Sequence, residues 1–187
     1  MTKLESRALN RIHSLKYAKQ THEIARYAPD DYDSKGRYKK NEWLNYWDIG
    51  RIFNHKRFTL KQYLLTEDNF IHAAEDIIKQ SHISFLTVAY LEIGKPVSFD
   101  KNLSIEMVNL LKSLHVGKRL NVHQSVLLMR IILRGMAWGI LVNESKKFQV
   151  SFGYDYYMNI HTNIPYAEIL DIVHRNNLYI DPRNVRR

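Results

Sequence analysis

An α+β fold is what this sequence predicts, with N-terminal helices, a mixed helical body and a C-terminal antiparallel β-hairpin or sheet packed by helices. Three observations carry that expectation. Two β-like runs, Trp138 to Val142 and Phe148 to His161, flank Asn143-Glu144-Ser145-Lys146-Lys147, a polar connection of hairpin length. In the second run Phe148, Val150, Phe152, Tyr154, Tyr156, Met158 and Ile160 alternate with Gln149, Ser151, Gly153, Asp155, Tyr157, Asn159 and His161. A period of two puts these sets on opposite faces of a sheet. Upstream, apolar residues recur instead at intervals of three and four, the spacing of amphipathic helices.

Taken in order, residues 3–27 read as a basic amphipathic helix, with Leu4, Ala8, Ile12, Leu15 and Ala18 on one face and Ile24 and Tyr27 extending the stripe. Pro29 ends it, and residues 29–41 form a polar, turn-rich loop. An α+β body spans 42–180. Thr59 and Gln62 stand at capping-box spacing, Thr66 opens a second candidate helical turn, and Phe70, Ile71, Ala74, Ile77 and Ile78 give a helical stripe over about 66–80. Ser84 to Ile93 is rich in β-formers and predicts a strand, with helical continuation as the alternative. Leu103 to Leu114 returns to helical spacing, and the apolar stretch Val122 to Leu133 is long enough to favour a buried helix. The alternating run 148–161 would make an unusually long strand, so a bend or bulge is expected near Gly153. Pro165 starts a last helix, 165–176, and a basic tail occupies 183–187. There is no internal repeat and no domain-length linker, so 1–187 reads as one domain.

Composition narrows the function classes. The chain is 45% hydrophobic and 12% aromatic, enough to bury a core. It contains no cysteine, which removes disulfides, thiolate metal sites and thiol nucleophiles. No signal-peptide apolar block follows Met1, and the most apolar stretch, Val126 to Val142, is interrupted by Arg130, Arg134 and Gly135. It falls short of the roughly 20 residues of a spanning helix, so a cytoplasmic protein without a membrane partner is expected. The net charge of +9 is unevenly placed: residues 1–64 carry +7, residues 65–182 carry −1 and the last five +3. The body is neutral and the basic excess belongs to the ends. Such an end invites an acidic partner.

Candidate chemistry is sparse. No cofactor or metal motif is present, and the nine histidines include no pair at H-E-x-x-H spacing. His82-Ile83-Ser84 and His123-Gln124-Ser125 repeat a His-x-Ser triplet, the element that two-histidine phosphoesterases use as base and acid, although chance supplies such triplets in a chain with nine histidines. Arg37-Tyr38-Lys39-Lys40 and Asn54-His55-Lys56-Arg57-Phe58 interleave cations with aromatics, a texture suited to nucleic acid or to a solvated basic face. Trp43, Trp47 and Trp138 are core candidates first and binding anchors second. The polar row Asp155, Tyr157, Asn159 and His161 is either the wet side of the sheet or a surface for oriented contacts to a protein.

Asn41-Glu42-Trp43, Asp48-Ile49-Gly50, Phe58-Thr59-Leu60 with Tyr63-Leu64, and Phe152-Gly153-Tyr154-Asp155-Tyr156-Tyr157-Met158 together resemble immunity proteins of bacterial contact-dependent growth inhibition and related polymorphic toxin systems. The resemblance implies a small cytosolic protein without enzymatic activity. Its partner would be the toxic C-terminal domain of a delivered toxin, often a nuclease. With a basic immunity protein, either that toxin presents an acidic docking surface or the contact avoids the basic N-terminal third. On this reading Trp47, Asp155, Tyr157 and His161 are candidate contacts, and Lys39, Lys40, Lys56 and Arg57 are candidate steering charges, which chiefly speed capture.

Overall fold

The computed structural model describes residues 20–94, 102–153 and 156–181. Its centre is a seven-stranded antiparallel sheet in the order β5-β4-β6-β7-β8-β1-β9. The strands are β1 (Gln20–Ala25), β4 (Phe85–Ile93), β5 (Arg119–Asn121), β6 (Ala137–Asn143), β7 (Phe148–Phe152), β8 (Tyr157–Thr162) and β9 (Tyr179–Ile180). A separate two-stranded hairpin pairs β2 (Ile52–Phe53) with β3 (Lys56–Arg57). Four helices complete the described chain: α1 (Leu60–Gln80), α2 (Ile105–Ser113), α3 (Val122–Leu133) and α4 (Tyr166–Arg175). The α+β expectation is therefore met.

The N-terminal element differs from its expectation. Residues 1–19 lie outside the described residues, as does the tail 183–187, but residues 20–25 form a strand where helix was expected. Ile24 serves either period: it pairs with Tyr27 at helical spacing or with His22 at strand spacing. Hydrogen bonding decides. β1 is flanked on both sides, with Ile24 opposite Met158 of β8 and Ile180 of β9, and its main-chain groups are met by two neighbours.

Helix α1 starts at the predicted cap, where the Thr59 hydroxyl accepts from Gln62 N and the Gln62 side chain accepts from Thr59 N. It runs unbroken to Gln80, so Thr66 is interior and opens no second helix. The strand expected at 84–93 forms, with a bulge between Val88 and Tyr90. Helices α2, α3 and α4 lie where the periodicity puts them. Asn121 adds a capping box with Gln124 at the head of α3.

The long alternating run is two strands, not one bent strand. The chain reverses after Phe152, with Gly153 N donating to Tyr157 O at 2.7 Å and Tyr156 at φ 61°. Fourteen residues fully extended would reach roughly 47 Å, far past neighbours of six to nine residues. The reversal preserves parity: Val150 faces Ile160 and Phe152 faces Met158. Alternation by itself does not distinguish one strand from this hairpin.

All four helices share one core with a single face of the sheet. Phe70, Ile71, Ile77 and Ile78 of α1, Leu128, Met129 and Ile131 of α3, and Ile169 and Val173 of α4 join Leu86, Val88, Leu141, Phe148, Val150, Met158 and Ile160. Ala89 and Val142, fully buried, form a small separate cluster with Ile140 on the other face. No described helix is long and apolar enough to cross a membrane.

One buried ion pair crosses the helical layer. Glu67 of α1 is fully buried, and the Arg134 guanidinium grips it in bidentate fashion, Nε to Oε2 at 2.7 Å and Nη2 to Oε1 at 2.8 Å. Arg130, one turn earlier on α3, adds a 2.7 Å bond to Oε1 and a second to Asp68. Burial opposes both cations, but the bonds to Glu67 prevail and raise both above the ordinary arginine value.

Candidate functional site

Asn45 and Asp48 build an exposed projection at one end of the sheet. They close a capping box around the 3-10 turn Tyr46–Asp48: the Asn45 side chain accepts from Trp47 N at 2.9 Å, and the buried Asp48 carboxylate accepts from Leu44 N and Asn45 N at 2.8 and 3.1 Å. Arg51 completes the carboxylate at 2.7 Å. Tyr46 points inward and is 5% exposed, while Trp47 points outward and is 61% exposed. A short polar turn thus carries one inward aromatic anchor and one outward indole.

The anchor rests on the buried ion pair. Arg134 Nη1 donates to Asn102 O at 2.8 Å, and Asn102 Nδ2 donates to the Tyr46 hydroxyl at 2.7 Å. The Tyr46 ring meets Tyr63 edge-on at 4.9 Å. Glu67, Arg134, Asn102 and Tyr46 therefore form a continuous polar brace under the turn, of the kind that rigidifies when every member is satisfied.

Beside Trp47 opens a cleft of about 370 Å³ whose lining includes Trp47, Glu92, Gly135, Trp138, Phe152 and Tyr156. Gly135 matters twice. Its φ of +69° is left-handed, and a Cβ there would sit 3.0 Å from Trp47 Nε1. On the far wall, Tyr156 is buried and donates its hydroxyl to Leu133 O at 3.1 Å. Burial foremost, with the nearby Glu67 charge, pushes the Tyr156 phenol well above its ordinary value and keeps it a neutral donor.

The residues expected from sequence do not converge. Trp47 shares the cleft with Phe152, Gly153 and Tyr156 of the motif before β8, while Asp155 lies outside the described residues. Tyr157 is half-buried: its hydroxyl is 2.9 Å from that of Tyr32, and its ring packs on Tyr27. His161 is also half-buried, with Nδ1 3.1 Å from the Thr21 hydroxyl, and burial holds its pKa below the ordinary histidine value. Both belong to the face that carries Thr21, Gln149 and Asn159.

The basic residues divide. Lys40 pairs with Asp31 at 2.5 Å, as Arg37 does with Asp33, Arg51 with Asp48 and Arg26 with Glu42. Lys39 is exposed, and Lys56 and Arg57 stand exposed on the β2–β3 hairpin, whose tip residues Asn54 and His55 have positive φ. These pairs leave the net charge unchanged but tie four of the local cations to acids, while Lys39, Lys56 and Arg57 stand outward.

His123 opens α3 and lies 3.3 Å from Glu106 of α2, where it lines a shallow cavity with Asn109, Ser113 and Leu127. His82 is in the turn after α1, at φ 52°, and takes no part in that lining. Among the described residues, no group of three or more His, Asp or Glu is placed to hold a metal ion.

Three participants had no separate sequence signal as site residues: Glu92, Gly135 and the Glu67–Arg134 brace. Arg130 and Arg134, one turn apart in an otherwise apolar stretch, were the available clue, since two buried-side arginines require a buried acid. No protein-family model, curated protein or solved structure matches the chain.

Proposed function

We propose that this chain is an immunity protein: a stoichiometric inhibitor that binds the C-terminal domain of a cognate toxin, in the first instance a nuclease, in the cytoplasm and occludes its active site or substrate groove. The observation that carries this reading is Trp47, exposed on a turn fixed by a capping box and braced from beneath. Tryptophan is the residue type most enriched where binding energy concentrates, and a rigid mounting lowers the ordering cost of association. Lys56 and Arg57 supply steering charge for an acidic region of the partner.

The reading expects a toxin-domain reading frame beside this one, and its test is co-expression with that domain. Growth should be restored, and the purified proteins should form a complex of fixed stoichiometry. Continued killing in the presence of soluble protein rejects the proposal. Nucleic-acid binding is a second reading that draws on the outward cations Lys39, Lys56 and Arg57. It requires affinity for RNA or DNA that falls steeply with salt, and no binding at low salt excludes it.

A further inference from the structure

We infer that the cleft beside Trp47 receives a cationic side chain, arginine or lysine, from the docking face of the protein partner. This rests on the immunity reading and specifies what the partner must bring. At about 370 Å³ the cleft lies at the small end of ligand sites, sized for one side chain or a small group rather than a cofactor. Its lining combines aromatic surface from Trp47, Trp138, Phe152 and Tyr156 with, among the described residues, one outward carboxylate, Glu92.

Charge selects the occupant. Arg134, the one cation among the described lining residues, is 5% exposed, and its guanidinium is already committed to both oxygens of Glu67 and to Asn102 O. Glu92 is exposed, accepts the Tyr90 hydroxyl at 3.2 Å and, among the described residues, has no cation at ion-pair distance. Among the described residues the free charge at the mouth is therefore negative, the opposite of the β2–β3 hairpin. Aromatic faces attract cations through their quadrupole, tryptophan most strongly, and a carboxylate beside them adds a charge-assisted partner. An acidic side chain entering the cleft would meet Glu92, and an aliphatic one would leave Glu92 without a counter-charge. The partner face thus needs two signs: acidic ground opposite Lys56 and Arg57, and one basic side chain for the cleft.

The experiment follows the three indole N–H resonances of the full chain by NMR during titration with acetyl-Gly-Arg-Gly-amide. Peptides carrying norleucine or glutamate in place of arginine are the comparisons. The Trp47 and Trp138 signals should move in a saturable way at millimolar arginine peptide. The Trp43 signal should stay, because that ring is stacked on Phe58 at 4.2 Å and covered by Arg26. The norleucine and glutamate peptides should bind more weakly. Glu92→Gln, a change at an exposed position, should weaken the arginine peptide about three- to fivefold. Equal response to norleucine, preference for glutamate, or no response at Trp47 and Trp138 overturns the assignment. Growth rescue by the wild-type chain is scored separately. Rescue without an arginine response rejects the cleft occupant and leaves the immunity reading standing. An arginine response without rescue rejects the immunity reading, and with it the assignment of that side chain to a toxin.

Discussion

Arg134→Met isolates the brace beneath the Trp47 turn. The substitution keeps an unbranched apolar stem, removes both bonds to Glu67 at 2.7 and 2.8 Å and takes the donor from Asn102 O. Glu67 is fully buried and, of its described ion pairs, would retain the one to Arg130, which reaches one of its two oxygens. Breaking one side of a buried pair costs about 3–5 kcal/mol, chiefly because an uncompensated charge is left behind. With Arg130 still in place the low end applies, about 3 kcal/mol, or roughly 6–12 °C in Tm for a chain of this length. Urea denaturation followed by circular dichroism measures the loss as a shift in midpoint at constant slope. The double variant Glu67→Leu/Arg134→Met removes both charges and should recover most of that loss. Because Asn102 links Arg134 to Tyr46, the single variant should also move the Trp47 indole resonance. The reasoning is refuted if Arg134→Met stays within about 1 kcal/mol of wild type, or if the double variant is less stable than the single.

Trp47→Ala should cost less than about 1 kcal/mol of stability, since most of the side chain is already in water. It should nonetheless weaken toxin binding by about 2 kcal/mol or more, near 30-fold, by calorimetry or surface plasmon resonance. Gly135→Ala forces a Cβ into a left-handed residue 3.0 Å from Trp47 Nε1. It should lose about 1–2 kcal/mol and shift the Trp47 indole signal; an unchanged signal would mean that the two do not touch. The pKa values of His22 and His161 are both lowered by burial, His22 further by the His161 charge, so the unfolded chain binds more protons than the folded one just below the ordinary histidine value. Stability should therefore be full above about pH 7 and fall as pH drops through 6.5 toward the lowered values. The slope stays below the limit of about 1.4 kcal/mol per pH unit for each histidine. His161→Gln should flatten that decline, and a slope equal to wild type would exclude His161 as a contributor.

The helices were readable because each meets its environment through a local rule. α1, α3 and α4 carry apolar residues at three- and four-residue intervals, and Thr59 with Gln62 marks the head of α1 four residues before its first fully buried side chain, Tyr63. Strand β1 was not readable. Its six residues satisfy both periods at Ile24, and only the partners β8 and β9, more than 130 residues away in sequence, supply the hydrogen bonds that choose between them. Candidate contacts fared similarly. Trp47 stands outside because Asn45 and Asp48 fold the turn, whereas Tyr157, equally aromatic, is taken up by Tyr27 and Tyr32.

By itself the sequence determined the α+β class, the four described helices and their faces, and which residues of the alternating run share a face. These are properties of spacing, and spacing is local. The tertiary structure alone decided that this run turns back on itself, because a four-residue reversal between Phe152 and Tyr157 leaves parity untouched. It alone also paired Glu67 with Arg134 across two helices and put Glu92 at the mouth of the cleft beside Trp47. A buried charge must find its counter-charge in space, and nothing in the order of residues along the chain records that distance.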